Sequence, residues 1–141
     1  MQWLDYCNRL TRPSVELREV TNVLVVEADP ILRNLVIRAL SRLGFIVYEA
    51  ANTEEALLLC NALADHRLDL IITDHETADP ETTDQILASC ATTKVLQISE
   101  SPFGLLQKKQ ALVPGSSFLK KPFTTVELLD CVRDLLNPRM Q

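Results

Sequence analysis

The stretch Asn22–Gly44, NVLVVEADPILRNLVIRALSRLG, holds two periodicities end to end. Asn22–Glu27 holds four successive apolar, mostly β-branched residues, VLVV, the pattern of a strand buried on both faces. From Pro30 to Leu43, the residues Ile31, Leu32, Leu35, Val36, Ala39, Leu40 and Leu43 recur at helical spacing and predict a helix. Pro30 suits its first turn, where a missing N–H costs nothing. Gly44 stands just past its end, as a C-terminal cap would. A doubly buried strand feeding directly into an amphipathic helix is the repeating unit of a parallel sheet.

The same alternation runs on to the C-terminus. Phe45–Glu49 is the next strand, and Asn52-Thr-Glu-Glu55 reads as a capping box opening a helix through Ala64. Leu68–Thr73 is a third strand, followed by a short, weakly apolar helix from Pro80 to Ser89. Val95–Ser99 is a fourth, followed by a helix from Pro102 to Leu112 that stops before Pro114-Gly115. Ser117–Leu119 is a short fifth strand. Thr124-x-x-Glu127 then forms a second capping box for a last helix, Val126–Leu136, closed by Pro138. Five strands alternating with five helices predict an α/β domain whose parallel sheet is covered on both faces.

Residues 1–21 stand apart from this pattern. Trp3, Tyr6, Cys7 and Leu10 recur at helical spacing until Pro13. They read as a short helix or arm packed on the body, or as a dimerisation or docking segment, since Trp and Tyr anchor many interfaces. The expected organisation is an arm or linker at 1–21, one domain at 22–137 and a tail at 138–141.

Composition narrows the function classes. The 141 residues suit one domain, with 47% hydrophobic and 23% charged positions, as in ordinary globular proteins. A net charge of −5, from 14 basic against 19 acidic residues, argues against general phosphate attraction and so against nucleic acid as a partner. No apolar run approaches the roughly 20 residues that span a bilayer, and Asp5 and Arg9 interrupt any signal-peptide pattern. Cys7, Cys60, Cys90 and Cys131 form no CxxC pair and read as free thiols. With His66 and His75 the only histidines, a zinc site is hard to assemble. A cytoplasmic protein is expected.

In a doubly wound sheet, ligand chemistry belongs at the carboxyl ends of the strands. Strand one ends in Glu27-Ala28-Asp29, strand three in Asp74-His75-Glu76, strand four in Ser99-Glu100-Ser101, and strand five runs into Lys120-Lys121-Pro122-Phe123. Carboxylates, a hydroxyl and an ammonium therefore meet at one edge. No G-x-G-x-x-G or GK[ST] loop follows the first strand, and no Ser, His and Asp set suggests acyl transfer.

These residues, in this order, resemble the receiver domain of two-component response regulators, with the chemotaxis regulators among the nearest in pattern. The resemblance covers about residues 22–137 and rests on NVLVVEADP, DLIITD, VLQIS and FLKKPF. It implies a flavodoxin-like sheet of five parallel strands in the order 2-1-3-4-5, with five flanking helices. It implies that Asp74 is the phosphoacceptor, attacking the phosphorus of a phosphohistidine. Lys121 would pair with the phosphoryl group, and Lys121-Pro122 matches the family's cis peptide. Ser99 matches the hydroxyl that follows the phosphoryl group, and Phe118 the aromatic switch coupled to it. Glu27 matches the first of the family's acidic pair, with Asp74 and the backbone carbonyl of Glu76 as further ligands of Mg²⁺. The output would be a signalling switch rather than an enzyme, self-phosphorylating and self-dephosphorylating at most.

Three departures surround that site. Ala28 occupies the place of the second acid, so Mg²⁺ binding should be weak; Asp29 or the Glu76 side chain could compensate. Glu100 puts bulk and negative charge where receivers usually have a small residue. Only 25 positions separate Asp74 from Ser99, and the acidic loop of Asp74, Glu76, Asp79, Glu81 and Asp84 lacks the family's usual Met-Pro and Asp-Gly. A degenerate receiver, acting as a phosphorylation-independent interaction module, is therefore the alternative, and another flavodoxin-like enzyme a third reading. The expected partners are a histidine kinase or phosphotransfer protein. A homodimer would form through the fourth helix, fifth strand and fifth helix or through the arm. With no output domain expected after Leu136, output would come through protein contact.

Overall fold

A computed structural model describes residues 20–63, 68–74, 93–100 and 116–137. Residues 1–19 of the arm, the helices expected at 80–89 and 102–112, the tail and Glu76 lie outside the described residues. Those described form β1 (Asn22–Val26), α1 (Pro30–Ser41), β2 (Ile46–Ala50), α2 (Thr53–Ala62), β3 (Leu70–Asp74), β4 (Lys94–Ser99), β5 (Ser116–Lys120) and α3 (Thr125–Leu136). The five strands make one sheet in the order β2-β1-β3-β4-β5, and every pairing is parallel. The expected flavodoxin-like topology is thus the observed one, with element ends within two residues of those expected.

The continuous apolar runs are explained by two cores. Val23 and Val25 of β1 face one side with Leu70, Ile72, Leu96, Ile98 and Leu119, against Val36 and Leu40 of α1 and Leu128 and Val132 of α3. Leu24 and Val26 face the other side with Ile71, against Ala56 of α2. Successive side chains of a strand point to opposite faces, so a strand sandwiched between helices must be apolar at every position. A fully buried leucine such as Leu128 contributes roughly 2–3 kcal/mol by leaving water.

Local chemistry ends the helices. Asp29 is the N-cap of α1, its Oδ1 accepting from Ile31 N at 2.9 Å, and Pro30 takes the first helical position. α1 stops at Ser41, two residues before the expected end, and Gly44 closes the turn at φ +85°, where an L side chain is strained. Thr124 and Glu127 make the full capping box expected for α3. At α2 the box is only half made. Asn52 Oδ1 accepts from Glu55 N at 2.9 Å, but Glu55 Oε1 accepts from Ala51 N at 2.7 Å rather than from Asn52 N. Among the described residues no helix is long and apolar enough to cross a membrane. Cys60 and Cys131 form no disulfide with each other and are half-buried; Cys7, Cys90, His66 and His75 lie outside the described residues.

Candidate functional site

The order β2-β1-β3 puts the ends of β1 and β3 side by side, although Glu27 and Asp74 are far apart in sequence. Asp74 is the last residue of β3 and is 2% exposed; Glu27 follows β1 and is 4% exposed. Lys121 follows β5. Its ammonium donates to Asp74 Oδ2 and stands 3.9 Å from Glu27 Oε1. Glu27, Asp74 and Lys121 are therefore brought together at the carboxyl edge. The Lys121–Pro122 peptide is cis.

Two buried carboxyls beside one ammonium cannot both ionise at ordinary cost. Burial pushes Glu27 up to about 7; the hydrogen bond and charge of Asp74 push the same way, while the Asp29 N–H and the Lys121 ammonium oppose it. Glu27 Oε2 accepts from Asp29 N at 3.0 Å. Glu27 Oε1 is buried and has no hydrogen-bond partner. Near pH 7 Glu27 is therefore close to half protonated.

That unpartnered oxygen tests whether a divalent cation fits. One ammonium, bonded to Asp74 and 3.9 Å from this oxygen, leaves two buried carboxyls short of positive charge, and a hard cation with oxygen ligands supplies it. Among the described residues no group of three acidic, histidine or cysteine side chains gathers, and Glu27 and Asp74 are the carboxylates they bring to the site. Mg²⁺ keeps several waters and is commonly held by one or two carboxylates, so the residues fit it. Ala28 is exposed and brings no ligand. Asp29 is exposed, with Oδ1 committed to capping α1.

Ser99 ends β4 and is 1% exposed; its carbonyl accepts from Lys121 N at 2.9 Å, tying the lysine's backbone to the neighbouring strand end. Phe118 sits half-buried in β5, paired in register with Gln97. Glu100 is exposed just past β4. Arg33 was not legible as a site residue. It donates Nη1 to the Glu27 carbonyl at 2.7 Å and Nε to Glu49 Oε1 at 3.0 Å. Its only sequence signal is a base one turn into the helix that follows the acidic turn.

No protein-family model and no curated protein matches the chain. Solved structures do. The receiver domain of the hybrid histidine kinase CckA is 28% identical, with a TM-score of 0.66, over 82% of this chain and 98% of that one. The chemotaxis response regulator CheY4 of Vibrio cholerae is 26% identical, with a TM-score of 0.69, over 83% and 99%. The receiver domain of a sensor histidine kinase from Pseudomonas aeruginosa, described with a magnesium ion coordinated in its active site cleft, is 20% identical. Its TM-score is 0.63, over 82% of this chain and 97% of that one. Matched along nearly the whole length of these structures, the chain has the fold of response regulator receiver domains and is similar to them in sequence.

Proposed function

We propose that Asp74 accepts a phosphoryl group from a phosphohistidine of a histidine kinase or phosphotransfer protein, and that this switches a protein-binding surface. The observation carrying this reading is the buried Asp74 carboxylate, held by the Lys121 ammonium beside an under-neutralised Glu27. A carboxylate oxygen of Asp74 attacks phosphorus as the P–N bond breaks. The bonding pair returns to the imidazole, and an acyl phosphate forms on Asp74. The protein's task is mostly to neutralise charge on the transferring oxygens. Lys121 does so directly, which requires its bond to Asp74 to be exchanged for one to the phosphoryl group.

Glu27 and Asp74 would hold Mg²⁺, with the Glu76 carbonyl as a further ligand, and the ion would supply the remaining positive charge. Ionised Glu27 is needed for that, so cation binding competes with its proton. The Ser99 hydroxyl follows the phosphoryl group, and Phe118 repacks with it, altering the face that includes β5 and α3. The shift is bounded by how differently the phosphoryl group interacts with the two arrangements. Water attack on the acyl phosphate would reset the switch. In this reading residues 22–137 are the receiver unit, 1–21 an arm, and the cytoplasm, where kinases present phosphohistidine, the compartment.

A degenerate receiver that binds partners without phosphorylation is the second reading. Ala28 and the lack of a third ligating side chain among the described residues favour it. The two separate cleanly. The full chain and an Asp74→Asn variant are incubated with a small-molecule phosphodonor, with and without Mg²⁺, and weighed intact. A gain of one phosphoryl group that needs both Asp74 and Mg²⁺ supports the acceptor. No gain from this donor or from a phosphorylated histidine kinase leaves the binding module.

A further inference from the structure

Residue 27 is gripped at three points. Its N–H donates to the Ala50 carbonyl of β2 at 3.0 Å, its carboxyl accepts from Asp29 N, and its carbonyl accepts from Arg33. Arg33 in turn is anchored on Glu49 of β2, and its own N–H donates to the Asp29 carbonyl at 2.8 Å. The Arg33 side chain is 18% exposed and Glu49 is 56% exposed, so the ion pair contributes little as an attraction. A guanidinium is nevertheless a rigid fork, and this one spans two acceptors that a lysine could reach only one at a time. What it fixes is the direction of the chain where β1 ends. That direction decides whether Glu27 Oε1 faces Asp74 or solvent.

We propose that Arg33 is a positioning residue that clamps the main chain at Glu27 and so aims its carboxylate at Asp74. Ala28 gives this clamp its importance. With Ala28 in place of the second acid and Asp29 Oδ1 committed to capping α1, the aim of Glu27 sets what the turn's side chains offer a divalent cation. This inference rests on the reading of Glu27 and Asp74 as a Mg²⁺ pair.

The test is a Mg²⁺ titration of the full chain followed by calorimetry, with amide exchange measured on the metal-free protein. Arg33→Ala is expected to weaken Mg²⁺ binding about tenfold or more, the usual cost of removing a group that orients a ligand. Arg33→Lys should recover part of the loss, and Glu49→Gln, which keeps an acceptor oxygen, should bind nearly as the parent. In the metal-free protein Arg33→Ala should speed exchange of the Asp29 amide while those of Leu24 and Ile72 stay protected. Unchanged affinity, or exchange accelerated equally at all three amides, overturns the proposal. A parent chain that binds no Mg²⁺ overturns the cation reading alone, and the Asp29 amide then decides the clamp by itself.

Discussion

Replacing Glu27 by Gln should make the metal-free protein less sensitive to alkaline pH. Glu27 is buried, and burial with the neighbouring Asp74 lifts its carboxyl from 4.5 to about 7. A group whose folded value is raised is bound to its proton more tightly in the native state than in the unfolded chain. Stability then falls as pH rises, beginning near 4.5 and ending once pH has passed about 7. At about 1.4 kcal/mol per pH unit, the full loss is about 3 kcal/mol. Gln keeps the acceptor for the Asp29 N–H and the shape of the side chain, and has no proton to lose. Urea unfolding at pH 5 and pH 8, in chelator, measures both proteins. Other carboxyls titrate in both, so the comparison is the stability of Glu27→Gln minus that of the parent at each pH. That difference should rise by about 2 kcal/mol from pH 5 to pH 8 in favour of the variant, short of the full loss because pH 5 already lies above 4.5. Saturating Mg²⁺ should shrink it at pH 8 by stabilising the ionised parent. A difference that stays constant between the two pH values, or that moves toward the parent, refutes the reasoning.

Lys121→Ala should cost about 3 kcal/mol at pH 7 in urea unfolding, because Asp74 would remain buried without its ammonium, and should also abolish phosphoryl transfer. Ala28→Asp should tighten Mg²⁺ binding by calorimetry and destabilise the metal-free chain, since it adds a third acid beside Glu27 and Asp74. Gly44→Ala should cost about 1–2 kcal/mol by thermal unfolding. Nothing lies within 4 Å of the added carbon at φ +85°, so the cost is backbone strain alone.

The fold was legible because its strongest features are local. β1 and α1 announce themselves by a change of period, and Thr124 with Glu127 by the chemistry of a helix start. The half-made box at Asn52 differs for a physical reason: Glu55 reaches an N–H one residue earlier, which residue types alone do not distinguish. The site was legible in its residue types, because strand ends of a parallel sheet share an edge. Its electrostatics were not. The bond between Lys121 and Asp74 spans 47 positions, and the state of Glu27 depends on both groups and on burial that only the packed sheet creates. Arg33 escaped for the same reason. Its partner Glu49 is 16 positions away on β2, and only the placement of β2 beside β1 makes the two neighbours. Asp29 carried a readable signal, since an acid directly before a helix-starting proline is a natural N-cap, and capping is what its Oδ1 does.

The central claim is that Asp74 carries the phosphoryl group, and trapping the acyl phosphate tests it most directly. The chain is exposed to a phosphodonor with Mg²⁺, treated with borohydride, digested and sequenced by mass spectrometry. Hydride reduces an acyl phosphate, with loss of phosphate, to the alcohol, so a phosphorylated aspartate is read as homoserine. The account predicts homoserine at position 74 and at no other aspartate. Homoserine elsewhere, or none at 74 after treatment with a phosphorylated kinase, would contradict it.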